Sequence, residues 1–298
     1  MKMNKTLIAR FQLLFSMVTF GTIGIFVEYI PMPRGSIAFV RGVIGALCLL
    51  IFALFSKTEI SFSAIKKNLL ILLLSGAAIG FNWVLLFEAF GKAGVPTATV
   101  CYYMAPIFVI LASPLVLKER LTFKKLICVG IALAGMLLVS GLFGSNETGE
   151  APLLGIALGL GAALLYATVI LLNKKMKDIS SHNRTFVQLG VAALVVLPYT
   201  LLAEKVEFNT ISPTVIILLA CVGILHTGVA YLMYFGSMKS LPAQTVAIFS
   251  YVDPAVALLL SPLLLGQFMN LPQLIGAILI LSGAFVSEID FKLKRSGK

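Results

Sequence analysis

Apolar residues occur along the chain in ten runs that short polar segments separate. Each run holds roughly 20 residues, the length that an α-helix needs to cross the hydrocarbon core of a bilayer. The pattern therefore predicts ten membrane-spanning helices, near residues 12–30, 36–56, 68–91, 95–117, 124–142, 152–173, 184–203, 213–237, 243–265 and 271–289. Prolines stand close to several predicted helix starts, where the amide that proline lacks is not needed.

The second half of the chain repeats the first at a fixed distance. A shift of 148 residues aligns Tyr102–Leu117 with Ser250–Leu265, including two prolines in each segment. From 87 to 135 the same shift gives 13 identities in 49 positions. We therefore predict an internal duplication, with one repeat in residues 1–145 and the other in residues 146–298.

An odd number of helices in each repeat predicts that the second repeat enters the membrane inverted. The loop at 118–125 holds four basic residues, whereas its repeat partner at 266–273 holds none, as expected if the two loops lie on opposite sides. Inverted repeats are typical of secondary transporters, whose substrate site lies near the bilayer midplane between the repeats. The predicted fold class is an all-α integral membrane protein with ten transmembrane helices in two inverted five-helix repeats.

Lysine and arginine collect in alternate loops. If the N-terminus is cytoplasmic, 19 of them lie on the cytoplasmic side, three lie on the opposite side, and Arg41 lies within a span. Basic residues favour the cytoplasmic side, so we predict a multi-pass protein of the cell membrane with both termini in the cytoplasm. This topology accounts for the net charge of +11 and leaves no reason to expect a nucleic-acid partner.

The composition agrees with a lipid environment. Hydrophobic residues make up 59% of the chain and charged residues only 12%, compared with about 25% charged in soluble domains. The four cysteines lie in apolar runs without C-x-x-C spacing, which predicts buried free thiols rather than disulfides or metal ligands. The first run lacks a small-residue cleavage site, so we expect it to remain as a span. We expect no cofactor, and no nucleotide-binding loop indicates direct use of ATP.

Several motifs occur in the same order in both repeats. The first half contains AlaProIlePhe at 105–108 and LeuLysGluArgLeuThr at 117–122, and the second contains Tyr251, Asp253-Pro254 and the segment Leu271–Gly283. Together they resemble the EamA type of the drug/metabolite transporter superfamily over nearly the whole chain. The resemblance implies a secondary transporter for small metabolites, with amino acids or related compounds as the expected class and export as the expected direction.

One position departs from the pattern of that family. Gln267 stands where the family usually has glutamate. This departure argues against a symmetric role for the two loop acids, so we expect Glu119 to have a structural role at a helix end.

Asp253 is the first candidate for a substrate-binding or coupling residue. A charged side chain at the centre of a membrane helix costs about 2.5 to 3.5 kcal/mol on insertion scales, so it normally faces a cavity or a partner. Pro254 frees the carbonyl of Ser250, and Ser250 lies on the same helix face as Asp253, so three acceptors can converge on a ligand. The alternative is a protonated carboxyl that only packs against a neighbouring helix.

The predicted third span carries Asn82, Trp83 and Glu88. Glu88 precedes Lys92 by one turn, which indicates either a solvated ion pair at the membrane rim or a group for gating or proton coupling. Asn82 and Trp83 lie deeper in the same helix and are candidates for the site.

Two further ionisable residues lie in predicted spans. His226 could relay a proton or could be a hydrogen-bonded packing residue. Arg41 lies near the end of its span, where its side chain can reach the surface. The alternatives are attraction of a substrate carboxylate and a structural tie between helices.

Aromatic residues complete the candidate site. The resemblance implies that the first, third, fourth, sixth, eighth and ninth helices line the cavity. The resemblance therefore favours Trp83, Tyr102, Tyr166 and Tyr231 beside Asp253. Their aromatic faces can attract organic cations. Interfacial anchoring is the alternative for tyrosine and tryptophan.

The sequence favours a transporter over other membrane proteins. The alternative transport function is uptake of a small organic cation or another nutrient. An intramembrane enzyme fits poorly, because H-E-x-x-H is absent and no second intramembrane aspartate can form a dyad with Asp253. We expect a small-molecule substrate in a lipid bilayer, with Asp253 or Glu88 as the groups available for proton coupling.

Overall fold

The described part of the chain is helical throughout. The computed structural model describes residues 5–56, 59–118, 122–139, 152–205, 211–237, 241, 249 and 252–288. The first half of the chain contains α1 Lys5–Glu28, α2 Arg34–Ser56, α3 Phe62–Lys67, α4 Leu69–Ala93, α5 Val95–Tyr102, α6 Ala105–Leu117 and α7 Phe123–Val139. The second contains α8 Pro152–Lys175, α9 Ser181–Ala203, α10 Pro213–Cys221, a π-helical segment Val222–Val229, α11 Ala230–Ser237, α12 Val252–Leu265 and α13 Leu271–Glu288.

Most of these helices have the length and composition of membrane spans. Seven stretches within the described residues qualify: Thr6–Glu28, Arg34–Ser56, Leu69–Ala93, Val95–Val116, Pro152–Lys175, Ser181–Ala203 and Pro213–Tyr234. The helix Val252–Leu265 and the apolar part of α13, Leu271–Gly283, are shorter. Large apolar side chains cover the outer surface; Phe55 is 87% exposed and Leu202 is 88% exposed. Such a surface is suited to lipid, and the chain is built as a multi-pass membrane protein.

The predicted fourth span is interrupted in the middle. Helix α5 ends at Tyr102 and α6 begins at Ala105. Pro106 occupies the first turn of α6, where its missing amide costs no hydrogen bond. Gly94, with φ of 76°, precedes α5 and allows the tight turn out of α4. The break places two tyrosines, Tyr102 and Tyr103, next to irregular backbone inside the fold.

In the close contact between α7 and α13, a glycine of each helix lies against a backbone carbonyl of the other. A Cβ atom added to Gly135 of α7 would lie 2.6 Å from the carbonyl oxygen of Gly276 in α13, and one added to Gly283 of α13 would lie 3.0 Å from the carbonyl oxygen of Cys128 in α7. The offset of 148 that relates the repeats carries Gly135 onto Gly283 and Cys128 onto Gly276. Exchanging the two helices therefore reproduces the same pair of contacts. The glycines let the two backbones approach closely.

The other helix contacts also occur in matching pairs. The contact of α4 with α8 is matched by the contact of α11 with α1. The contacts of α5 and α6 with α8 are matched by the contact of α12 with α1. Helix α4 packs against α9, and the π-helical segment packs against α2. Helices α2 and α9 pack against each other. The two halves thus interlock, so helices from both halves surround the middle of the protein.

We expect Gly135→Ala to destabilise the protein by about 1–3 kcal/mol, because the new methyl group would overlap a backbone carbonyl that cannot move aside cheaply. The measurement is the melting temperature of the purified protein in detergent. Gly130 lies in the same helix with no atom within 4 Å of an added Cβ, so Gly130→Ala is the matched control and should leave the melting temperature unchanged or slightly raised. Equal melting temperatures for the two variants would contradict the close contact.

Candidate functional site

An acidic side chain and three tyrosines meet at the break between α5 and α6. Asp253 lies in the first turn of α12, within hydrogen-bonding reach of the Tyr103 hydroxyl. The ring of Tyr102 lies 6.1 Å from that of Tyr103 and 5.4 Å from that of Tyr166 in α8. We call Tyr102, Tyr103, Tyr166 and Asp253 the Asp253 cluster. Asp253, Tyr102 and Tyr166 are only partly buried, so their side chains keep surface that a ligand can contact.

A second aromatic group extends the cluster toward α1 and α11. Phe20 packs edge-on against Tyr231 at 5.2 Å and against Tyr234 at 5.9 Å between ring centroids. Tyr234 lies within hydrogen-bonding reach of Tyr166. The structure therefore brings four of the candidates from the sequence into one region: Asp253, Tyr102, Tyr166 and Tyr231.

Arg41 is buried beside this region. Its side chain is 3% exposed, and the guanidinium carbon lies 4.3 Å from the ring centre of Trp83 and 5.3 Å from that of Phe87. Its Nε donates a hydrogen bond of 3.0 Å to Thr227 Oγ1. The expectation that Arg41 reaches the surface is wrong, because α4 and the π-helical segment cover it. The bond to Thr227 does tie α2 to the second repeat.

Asn82 lies next to Tyr102 of the cluster, and Trp83 lies next to Arg41. Asn82 Nδ2 donates a hydrogen bond of 2.6 Å to the carbonyl oxygen of Ala162, which links α4 to α8. The Asn82 side chain also lies within hydrogen-bonding reach of Tyr102. Trp83 is 3% exposed and stacks on Arg41. These two residues position Tyr102 and Arg41.

His226 lies in the π-helical segment and is 1% exposed. One ring nitrogen lies 3.0 Å from Thr22 Oγ1, and the other lies 3.3 Å from the carbonyl oxygen of Cys221. Its ring packs against Phe26 at 4.7 Å. With both nitrogens engaged, His226 has the contacts of a packing residue that joins the π-helical segment to α1.

Glu88 lies at one end of the molecule, in a charged rim. It borders a cavity of about 420 Å³ whose lining also includes Glu28, Ile30, Pro31, Met32, Pro33, Arg34 and Lys205. Arg34 forms an ion pair of 3.0 Å with Glu28. Glu88 is partly buried within electrostatic range of Arg34 and Lys92, so mixed charges surround it.

Two side chains from the second half of the chain cap helices of the first half at this rim. The Glu204 carboxylate accepts hydrogen bonds of 2.7 Å from the Gly35 and Ser36 amides at the start of α2. Gln267 Oε1 accepts one of 2.8 Å from the Val95 amide at the start of α5. These amides have no partner within their own helices, so the caps join the two halves of the chain at what we call the Glu204 end.

The opposite end has its own connections between the two halves of the chain. The Asn68 amide group donates to the carbonyl of Lys177 at 2.9 Å and accepts from the Lys177 amide at 3.2 Å. Lys67 forms an exposed ion pair with Asp178 at 2.6 Å, which lowers the pKa of the Asp178 carboxyl. We call this the Asp178 end.

Some predicted positions cannot be placed. Ser250, Tyr251 and Glu119 lie outside the described residues. Within the described ranges, no group of three or more His, Cys, Asp or Glu side chains is arranged to hold a metal ion.

Phe20, Tyr103 and Tyr234 belong to the wider set of aromatic residues that the sequence offers as cavity lining, but they were not among the four favoured for the site. The caps made by Glu204 and Gln267 were missed. The pairing of Tyr103 with Tyr251 in the repeat alignment was the available signal for Tyr103. Nothing near Glu204 or Gln267 in the sequence points to a helix start more than 150 residues away.

Comparison with known proteins decides the family. The model of the EamA-like transporter family matches residues 7–141 and again residues 153–288. The chain belongs to the EamA-like transporter family. Most of each half is covered by one of these matches, and the family describes transporters rather than enzymes.

Relatives of this EamA-like chain carry transporter names. The uncharacterized transporter YxxF of Bacillus subtilis is 31% identical over 294 residues, covering 96% of this chain and 90% of that protein. A probable amino-acid metabolite efflux pump of Salmonella typhimurium is 28% identical over 260 residues, covering 83% of this chain and 86% of that protein. A solved crystal structure at 18% identity has a TM-score of 0.67 and covers 93% of this chain and 95% of its own, which shows a shared fold.

The cap at α5 can be tested directly. We expect Gln267→Ala to lower the unfolding free energy by about 0.5–2 kcal/mol, because it removes the acceptor for the Val95 amide. Gln267→Glu should keep or raise the stability, because a carboxylate also interacts favourably with a helix N-terminus. Thermal unfolding in detergent measures both. Phe268 is 65% exposed, and Phe268→Ala is the control; a loss with Glu as large as that with Ala would contradict the capping role.

Proposed function

We propose that the chain is a ten-helix secondary transporter, built from two inverted five-helix repeats in residues 1–145 and 146–298. It exports small metabolites, amino acids or related compounds, by alternating access. The matched helix pairs and the reciprocal glycine contact between α7 and α13 support the inverted repeats. The name of the Salmonella typhimurium relative supports the substrate class and the direction.

The Asp253 cluster is the observation that carries this proposal. Its members come from the end of α5 and the break that follows it in the first repeat, and from α8 and α12 in the second, and Phe20 of α1 extends it. Relative rocking of the repeats would change the distances within such a site, which is the requirement for alternating access. A carboxylate among tyrosine rings offers an organic ammonium group both a counter-charge and aromatic faces.

The two ends of the molecule then act as gates. With both termini in the cytoplasm, the Glu204 end faces outward and the Asp178 end faces inward. Opening the outer side requires the caps from Glu204 and Gln267 to separate from α2 and α5. These hydrogen bonds stabilise the outward-closed state, and equivalent contacts of Asn68 stabilise closure on the inner side.

Asp253 also provides a route to proton coupling. A carboxyl enclosed by protein can be neutralised by a proton or by the cationic group of a substrate. The two ligands would compete, so proton entry from one side would favour substrate release on that side. Glu88, in the outer rim, is the second carboxyl available for this exchange.

The test is transport by purified protein in liposomes. Asp253→Asn should abolish substrate-driven exchange or remove its pH dependence while leaving the yield of folded protein unchanged, because asparagine keeps the shape and loses the charge. Glu59→Gln, which changes an exposed carboxylate away from the Asp253 cluster, is the control and should behave like the wild type. Transport by Asp253→Asn at the wild-type rate at every pH would remove Asp253 from the mechanism.

A further inference from the structure

The guanidinium of Arg41 is a buried positive charge that the described protein does not neutralise. The residue is 3% exposed, and no acidic side chain in the described ranges forms an ion pair with it. Arg34, two turns earlier in the same helix, instead pairs with Glu28 at 3.0 Å. The Trp83 and Phe87 rings offset part of the charge, but a buried charge without a counter-ion remains strongly unfavourable.

The hydrogen-bonding capacity of Arg41 is also only partly used. Nε donates to Thr227, and neither terminal nitrogen has an acceptor within hydrogen-bond distance in the described part of the chain. Fully enclosed polar atoms without a partner do occur there, for example both ring nitrogens of His182, but no atom of Arg41 is among them. The end of the guanidinium therefore reaches accessible space.

The surroundings of Arg41 include the transport site. Tyr102 and Tyr231 lie within electrostatic range of Arg41. Tyr102 also lies within electrostatic range of Asp253, so the same tyrosine lies near the Arg41 guanidinium and near the Asp253 carboxyl. A site with a guanidinium, aromatic rings and a carboxyl that can ionise matches a small zwitterion.

We infer that the terminal nitrogens of Arg41 bind the carboxylate of the transported metabolite, whose ammonium group lies toward Asp253. The planar guanidinium presents two parallel N–H groups to a carboxylate, which a lysine cannot do. The substrate then supplies the missing counter-charge, and a metabolite without a carboxylate is rejected because it leaves the guanidinium unpaired. This inference rests on the proposed function and adds the chemical group that the site selects.

The wild-type protein contains its own reporter for this contact. Trp83 is the single tryptophan of the chain, and it stacks on Arg41. Purified protein is titrated with the non-aromatic L-amino acids while its tryptophan emission is recorded, and each one that binds is compared with its α-amide and its decarboxylated amine. We expect the acids to change the emission, and the amides and amines to bind about tenfold more weakly or worse. Amides or amines that bind as tightly as the acids would overturn the inference.

Variants separate carboxylate binding from a purely structural tie. Arg41→Gln and Arg41→Lys should lose most of the preference for acid over amide, measured by ligand-induced shifts in melting temperature. Arg34→Gln removes a charge from the same helix and should leave the ratio of acid to amide affinity unchanged. If Arg41→Gln keeps the wild-type preference for acid over amide and only lowers the stability of the protein, Arg41 ties helices together and does not bind the carboxylate. If the Arg41 variants do not fold, the comparison of acids with amides on the wild-type protein still tests whether the site binds a carboxylate.

Failure of the inference and failure of the proposed function give different results. Exchange of amines or neutral metabolites in liposomes, without exchange of carboxylates, would refute the role of Arg41 and leave a transporter. Absence of exchange for every compound that binds would refute the transporter itself, and the inference with it.

Discussion

The structure depends on one constraint: a polar group within the hydrocarbon core has no water to bond, so it needs a partner inside the protein. Several such bonds join helices that are distant in sequence. Asn82 of α4 bonds the backbone of α8, Gln188 of α9 bonds Ser75 of α4 at 2.7 Å, and Ser16 of α1 bonds the backbone of α11 at 3.0 Å. Apolar packing alone allows a helix to slide or rotate, whereas these bonds fix its neighbour and its depth. The polar ties therefore fix the arrangement in which the tyrosines and Asp253 meet.

The place of most apolar runs could be predicted because the bilayer imposes a length on every span, and seven stretches of the described residues are long enough to cross it. Interruptions within a run were harder to predict. Pro106 indicated a bend, but only the fold shows that α5 ends at Tyr102 and that two tyrosines lie at the break. The π-helical segment was missed entirely, because a periodicity of 3.6 residues is the only helical signal that apolar positions carry. The close approach of α7 and α13 was visible only as repeated glycines.

Part of the candidate site also follows from the sequence. An acid inside a span is rare enough that Asp253 stood out, and the repeat placed Tyr103 at an equivalent position to Tyr251. The surroundings of Arg41 could not be predicted, since distance from a helix end does not reveal which neighbour covers the side chain. The caps made by Glu204 and Gln267 were hidden for a similar reason: each partner amide lies in the other repeat, and no local pattern encodes it.

The π-helical segment lies between α10 and α11, within one continuous helical stretch. A turn closed by an i→i+5 hydrogen bond holds one residue more than an α-helical turn, and Val222–Val229 is such a place. An added residue in a regular α-helix would rotate everything after it by about 100°. The widened turns of this segment therefore set the direction in which α11 presents its side chains relative to α10, and Tyr231 and Tyr234 of α11 contact Phe20.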